Sequence, residues 1–147
     1  MSRHIYKDER AVQWVMTARW PKGQPSMLFE VEKDFRPTHI HTNLTEPGKA
    51  SFEKIFFDSD VSDLIIPVDA YTYSMDLLRK VRAKFYEAHG LTGKSDGEIQ
   101  DYIDRHDLVL PDPCFLPMPT VKKGAVILFE GKASEDYMIS LYGMARE

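Results

Sequence analysis

Cysteine is almost absent from this chain: Cys114 is the only one in 147 residues. That excludes an internal disulfide and fits a reducing compartment. Long apolar runs are missing as well. No stretch approaches the ~18 consecutive apolar residues of a membrane-spanning helix. The opening MSRHIYKDERAV carries charges where a secretory signal would place its apolar segment. A surplus of one charge sign is also lacking, since 19 Lys and Arg against 23 Asp and Glu leave a net charge of −4. So mild a balance supports solubility and argues against a general binder of nucleic acid or of an anionic membrane. There is no internal repeat, no low-complexity segment and no Gly-x-Ser-x-Gly nucleophile elbow. HGLTGKSD is no phosphate loop, because Ala88 stands where that loop needs its first glycine and a helical pattern precedes it.

Against these absences stands an ordinary core-forming composition, 43% apolar and 29% charged, with 12% aromatic residues. A chain of this length buries roughly 68–70% of its unfolded surface, enough for a core without covalent staples. One domain over 1–147 is expected.

Alternation in AVQWVMTA (11–18) predicts a strand, and SMLFEVEKD (26–34) a second. The loop RWPKGQP between them suggests that the two form an antiparallel hairpin. A third extended piece is expected at 38–43. ASFEKIFFD is ambiguous, since Phe52, Ile55 and Phe56 suit a helix face while Phe52, Lys54 and Phe56 suit a strand face. We read it as a strand paired with SDLIIPVD (62–69).

Leu77, Leu78, Val81, Phe85 and Ala88 predict a helix over about 72–89, closed by a left-handed cap at Gly90 with Leu91 folding back. Ser95 and Glu98 form a capping box that opens a second helix bearing Ile99, Tyr102, Ile103 and His106. The segment 109–120 holds prolines at 111, 113, 117 and 119, and is expected to be an extended connection. GAVILFEG (124–131) predicts a buried strand. SEDYMISLYGMARE is expected to be a closing helix capped by Ser134. The fold class expected is α+β, a mostly antiparallel sheet of about four to six strands with two to three helices packed on one face.

Candidate sites follow from residue type. His39 and His41 in RPTHIHTNLTE share one face of a strand and could converge on zinc with a third ligand such as Glu46. The His-x-His-x4-Glu spacing resembles the first metal motif of cupins, although Lys33 and Glu53 occupy that motif's glycine positions. HIHTN is also similar to the opening of histidinol-phosphatase-type metal hydrolases. Either resemblance would imply a metal-dependent enzyme; the competing reading leaves both histidines on the solvent face with Ile40 turned inward. RKVRAK offers Arg79 and Arg82 to a protein partner or, with Lys84, to a nucleotide or nucleic-acid phosphate, unless Asp96, Glu98, Asp101, Asp104 and Asp107 of the next helix neutralise it. Cys114 reads as a half-buried structural thiol rather than a nucleophile. Trp20 and Lys22, in a loop, together with Phe115 in the proline-rich segment, are candidate anchors for a protein partner; for Trp20 the alternative is to shield the sheet.

With no specific catalytic motif, the reading chosen is a cytoplasmic, non-enzymatic binding or regulatory protein. It would be of the inhibitor, immunity-factor or phage–host interaction type, bacterial or phage in origin, acting by protein–protein contact.

Overall fold

The computed structural model describes residues 11–146. Residues 1–10, which hold most of the charged opening segment, lie outside the described residues. Seven antiparallel strands form two sheets, joined by two helices in one α+β body. In the three-stranded sheet, β1 (Ala11–Trp20) and β3 (Asp34–Thr42) flank β7 (Tyr137–Arg146). The four-stranded sheet runs β2 (Ser26–Glu30), β6 (Val126–Ala133), β4 (Ala50–Phe57) and the two-residue β5 (Val68–Asp69).

The inner faces of the two sheets bury Trp20, Phe35, Phe52, Phe129, Ile139 and Leu141. Burying each such side chain contributes on the order of 1.5–3 kcal/mol. Trp20 stacks on Tyr137 at 5.7 Å and meets Phe52 at 6.1 Å, and Phe52 in turn meets Phe129 at 5.3 Å. These rings tie β1, β7, β4 and β6 together.

Two bulges shape the sheets. On β3 the register against β7 shifts between Pro37 and His39, and on β4 the register against β6 shifts between Phe52 and Lys54. Each extra residue reverses which alternate side chains face inward. Phe35 and Pro37 are buried before the first bulge, Ile40 and Thr42 after it. Ala50 and Phe52 are buried before the second, Ile55 and Phe57 after it. A glycine of the central strand faces each bulge: Gly143 against β3 and Gly131 against β4. A Cβ on Gly143 would collide with the Arg36 carbonyl, and one on Gly131 with the Ser51 carbonyl. Both glycines thus permit a close backbone approach in mid-sheet.

The first helix begins at Met75, three residues later than expected, because residues 70–73 form a separate 3-10 turn. Ser74 caps α1 (Met75–Ala88), its Oγ accepting from the Leu77 N–H at 3.0 Å. Gly90 adopts a left-handed conformation at φ 68°, and Leu91 N–H reaches back to the Tyr86 carbonyl at 2.8 Å. The Ser95–Glu98 capping box is formed at the start of α2 (Asp96–Arg105). Leu91, Ile99 and Ile103, packed against Phe85, Tyr86 and Tyr102, make a small second core between the helices. The proline-rich 109–120 segment is an extended strap along the free edge of β3. It is held by hydrogen bonds from Ile40 N–H to the Cys114 carbonyl (3.0 Å) and from Leu116 N–H to the Thr38 carbonyl (2.7 Å).

Several expected features differ. β1 and β2 are not a hairpin: β1 pairs with β7 and β2 with β6, so loop 21–25 carries the chain from one sheet to the other. The sheet is doubled for the same reason. Of 62–69 only Val68–Asp69 pairs with β4. The Ser62 hydroxyl accepts from the N–H groups of Ile55 and Leu64, each at 3.1 Å, and so turns the preceding segment into a loop. The closing segment is strand β7, not a helix. Tyr137, Ile139, Leu141, Gly143 and Ala145 face the core, while Met138, Tyr142 and Met144 line the other face, so apolar residues on both sides hide the alternation. Ser134 caps nothing helical; its hydroxyl donates to the Lys49 carbonyl at 2.7 Å.

Candidate functional site

The outer face of the three-stranded sheet is only partly covered. α1 and the strap lie over its β3 side and leave a cleft of about 510 Å³ toward β7 and β1. Ligand pockets span roughly 300–1,000 Å³, so the size suits a side chain cluster or a small molecule. Val15, Tyr142 and Met144 form the sheet wall, and Met75, Leu78 and Arg82 the α1 wall. His39, His41 and Asp112 close the third side.

The bulge at Thr38 puts both histidines here. Without it the odd-numbered positions of β3 would continue inward behind Phe35 and Pro37; with it, Ile40 takes the core and the imidazoles turn outward. Their rings lie 6.0 Å apart.

Asp112 organises the cluster. One carboxylate oxygen is 2.9 Å from His39 Nε2 and 3.9 Å from Arg82 Nη2; the other accepts from the Cys114 N–H at 3.1 Å. Arg82 Nε donates to the Pro111 carbonyl at 3.2 Å. The second His39 ring nitrogen meets the Thr38 hydroxyl at 2.9 Å. Both His39 nitrogens are therefore engaged, and ligating a metal through either would break one of these bonds. His41 sits against Tyr142, ring to ring at 4.5 Å. Burial, then the neighbouring His39, lowers its pKa below the usual 6.5; Arg82 acts the same way and Asp112 opposes.

The other candidates separate. Glu46 is remote from this chemistry in its contacts, pairing with Lys49 at 3.3 Å, and no group of three or more metal-ligating side chains exists among the described residues. Trp20 is fully buried, its indole N–H donating to the Gln24 carbonyl at 2.8 Å, so it shields the sheet rather than offering an anchor. Lys22 is exposed and its backbone N–H is held by Asp136. Arg79 and Lys84 are exposed, and among the described residues no ion pair links α1 with α2. The expected neutralisation between the helices is absent: Arg82 turns to Asp112 and the Pro111 carbonyl of the strap, while Lys80 pairs with Asp76 and Arg105 with Asp101 inside their own helices. Phe115, half exposed, packs its ring 5.3 Å from His39 at the cleft rim. Cys114 is buried, and burial pushes its thiol pKa up to about 11, which keeps it protonated and poorly nucleophilic.

Thr38, Asp112 and Tyr142 were not singled out by sequence reasoning. Asp112 left one signal, a carboxylate set between Pro111 and Pro113 in an otherwise apolar segment. Thr38 and Tyr142 left none, because their role depends on the bulge and on the strand pairing of His39 with Tyr142. Among the described residues no helix is long and apolar enough to cross a membrane. No protein-family model, curated protein or solved structure matches the chain.

Proposed function

We propose that this chain is a non-enzymatic binding protein that acts by covering the surface of a partner protein, with the cleft face at the centre of the contact. The observation that carries the reading is that Val15 and Tyr142, both substantially exposed, share one cleft with an Arg82 already held in place, while the half-exposed Phe115 packs against His39 of the same cleft. Aromatic side chains and arginine dominate binding energy at protein interfaces, above all where the group is pre-ordered. Two groups that would otherwise suggest chemistry are occupied structurally: His39 at both nitrogens and Cys114 by burial. A cytoplasmic setting and a regulatory role of the inhibitor or immunity type belong to the same proposal, supported by the single unpaired cysteine and the mild net charge.

The test is affinity capture with matched baits: the natural chain, Arg82→Glu and Tyr142→Ala, each first checked for an unchanged melting temperature. A protein retained by the natural chain and lost from both variants is the expected result. Capture that ignores both substitutions, or no capture from any relevant extract, overturns the cleft face as the contact. The phosphate reading has its own discriminator, since binding through Arg79 and Lys84 would weaken steeply with salt for any nucleic acid offered.

A further inference from the structure

The opposite side of the molecule carries a second surface of different character. Among the described residues no helix covers the outer face of the four-stranded sheet. Leu28, Leu128 and Phe56 stand in register across β2, β6 and β4, and form an apolar row; Val126, paired with Glu30, lies beside it. Leu28 and Val126 are exposed. The loop 58–67, which leaves β4 just after Phe56 and Phe57, exposes Val61, Ile65 and Ile66, of which Ile65 is 97% exposed.

This loop is built to hold that position. Asp63 N–H donates to the Ile55 carbonyl at 2.8 Å, the Ser62 hydroxyl takes the Ile55 and Leu64 N–H groups, and the Ser59 hydroxyl takes the Val61 N–H at 3.1 Å. Leu64 packs against the main core while its neighbours Ile65 and Ile66 point away. A fixed apolar tip loses little entropy on binding, and solvated monomers seldom leave such a row bare.

The rim is acidic. Asp58, Asp60 and Glu130 line a hollow of about 500 Å³ whose floor is Phe56, Val126 and Leu128, and Glu30 stands next to Val126. No ion pair engages these four carboxylates among the described residues. Lys54, opposite Glu130 in the register, is the nearby cation.

We propose that this face is a second docking surface, for a protein whose own surface offers an apolar depression rimmed by lysine or arginine. The carboxylates select the charge of the partner, and the row with Ile65 and Ile66 supplies the buried area. A second copy of this chain is the wrong occupant, because it would set Asp58, Asp60, Glu30 and Glu130 against their own counterparts.

The experiment uses the full chain and two designed peptides of equal hydrophobicity, one alternating leucine with lysine and one alternating leucine with glutamate. Binding is followed by NMR shift mapping. The lysine peptide is expected to bind, to shift Leu28, Val126, Ile65 and Ile66, and to weaken as salt rises. It should lose tenfold or more in affinity in the Ile65→Ser/Ile66→Ser variant. Asp58→Asn/Asp60→Asn should reduce the salt dependence while leaving the apolar contact, and Arg82→Glu should leave this binding unchanged, which separates this surface from the cleft. Equal binding of the glutamate peptide, no binding of either, or indifference to the double isoleucine variant overturns the proposal. So does sedimentation that shows self-association abolished by that variant, which would make a second copy the occupant.

Discussion

The two outer sheet faces differ in what covers them. Over the three-stranded sheet, α1 and the strap bring Arg82 and Asp112 onto two histidines, and the result is a polar cluster beside a half-open apolar wall. Over the four-stranded sheet no described helix is laid, and the exposed Leu28, Val126, Ile65 and Ile66 have carboxylates nearby. Both faces keep large apolar groups in solvent, yet one is fixed by side-chain hydrogen bonds across distant segments and the other by short-range bonds of a loop to its own serines and to the adjoining strand β4. A cluster assembled from distant segments couples to stability, because each group removed leaves others unpartnered. A surface presented by a locally held loop can change its chemistry with little effect on folding.

The largest expected effect probes what the two sheets share. Gly143→Ala and Gly131→Ala should each destabilise by more than about 3 kcal/mol, read as a large drop in urea midpoint, since the added methyl meets a neighbouring backbone carbonyl that cannot swing aside. If one is tolerated, the bulge opposite it is not as tight as its partner and the symmetry between the sheets fails. Next comes Asp112→Ala, which leaves His39 and the Cys114 N–H without their acceptor and Arg82 without its nearby carboxylate. About 1–3 kcal/mol is expected, toward the lower end because the groups are partly solvated. A loss near zero would show that the cluster does not hold the strap to β3.

A smaller effect distinguishes the faces by pH. Because the folded protein lowers the His41 pKa below 6.5, the unfolded chain binds more protons in the window beneath that value. Stability from this group is complete above pH 6.5 and declines as pH falls through the window. Melting temperatures from pH 7.5 to 5 should fall in the natural chain and fall less in His41→Gln. An identical slope in both would remove His41 as the source. Smallest of all, Ile65→Ser/Ile66→Ser should change stability by no more than about 0.5 kcal/mol, because the side chains touch solvent. A substantial loss there would mean that the loop tip supports the core, and the contrast between the faces would dissolve.

Three local signals in the sequence held, while the cap expected at Ser134 did not. Ser95 with Glu98, Gly90 with Leu91, and the prolines of 109–120 each act within a few residues, and each does in the fold what its chemistry predicts. The strand at 50–57 was ambiguous for a physical reason. The bulge after Phe52 makes the buried positions 52 and 55, an interval of three that imitates a helix face. The same device on β3 hides where His39 points. β7 was misread because its outer face lines the cleft and is apolar too, so no alternation remained to be seen. Of the site, His39, His41, Arg82 and Phe115 were visible by residue type, whereas Asp112 joins them only through a contact 73 positions along the chain.

What the sequence determined by itself is the two helices of the middle of the chain with the Ser95–Glu98 box and the Gly90 cap, the extended nature of the strap, the single unpaired thiol and the α+β class. Each rests on the conformational preference of a few adjacent residues or on a count. Tertiary structure decided which strands pair, how many sheets form, and which way the histidines face. Those outcomes depend on backbone approach between segments far apart in the chain, where Gly131 and Gly143 admit a neighbour and a one-residue bulge exchanges inside for outside.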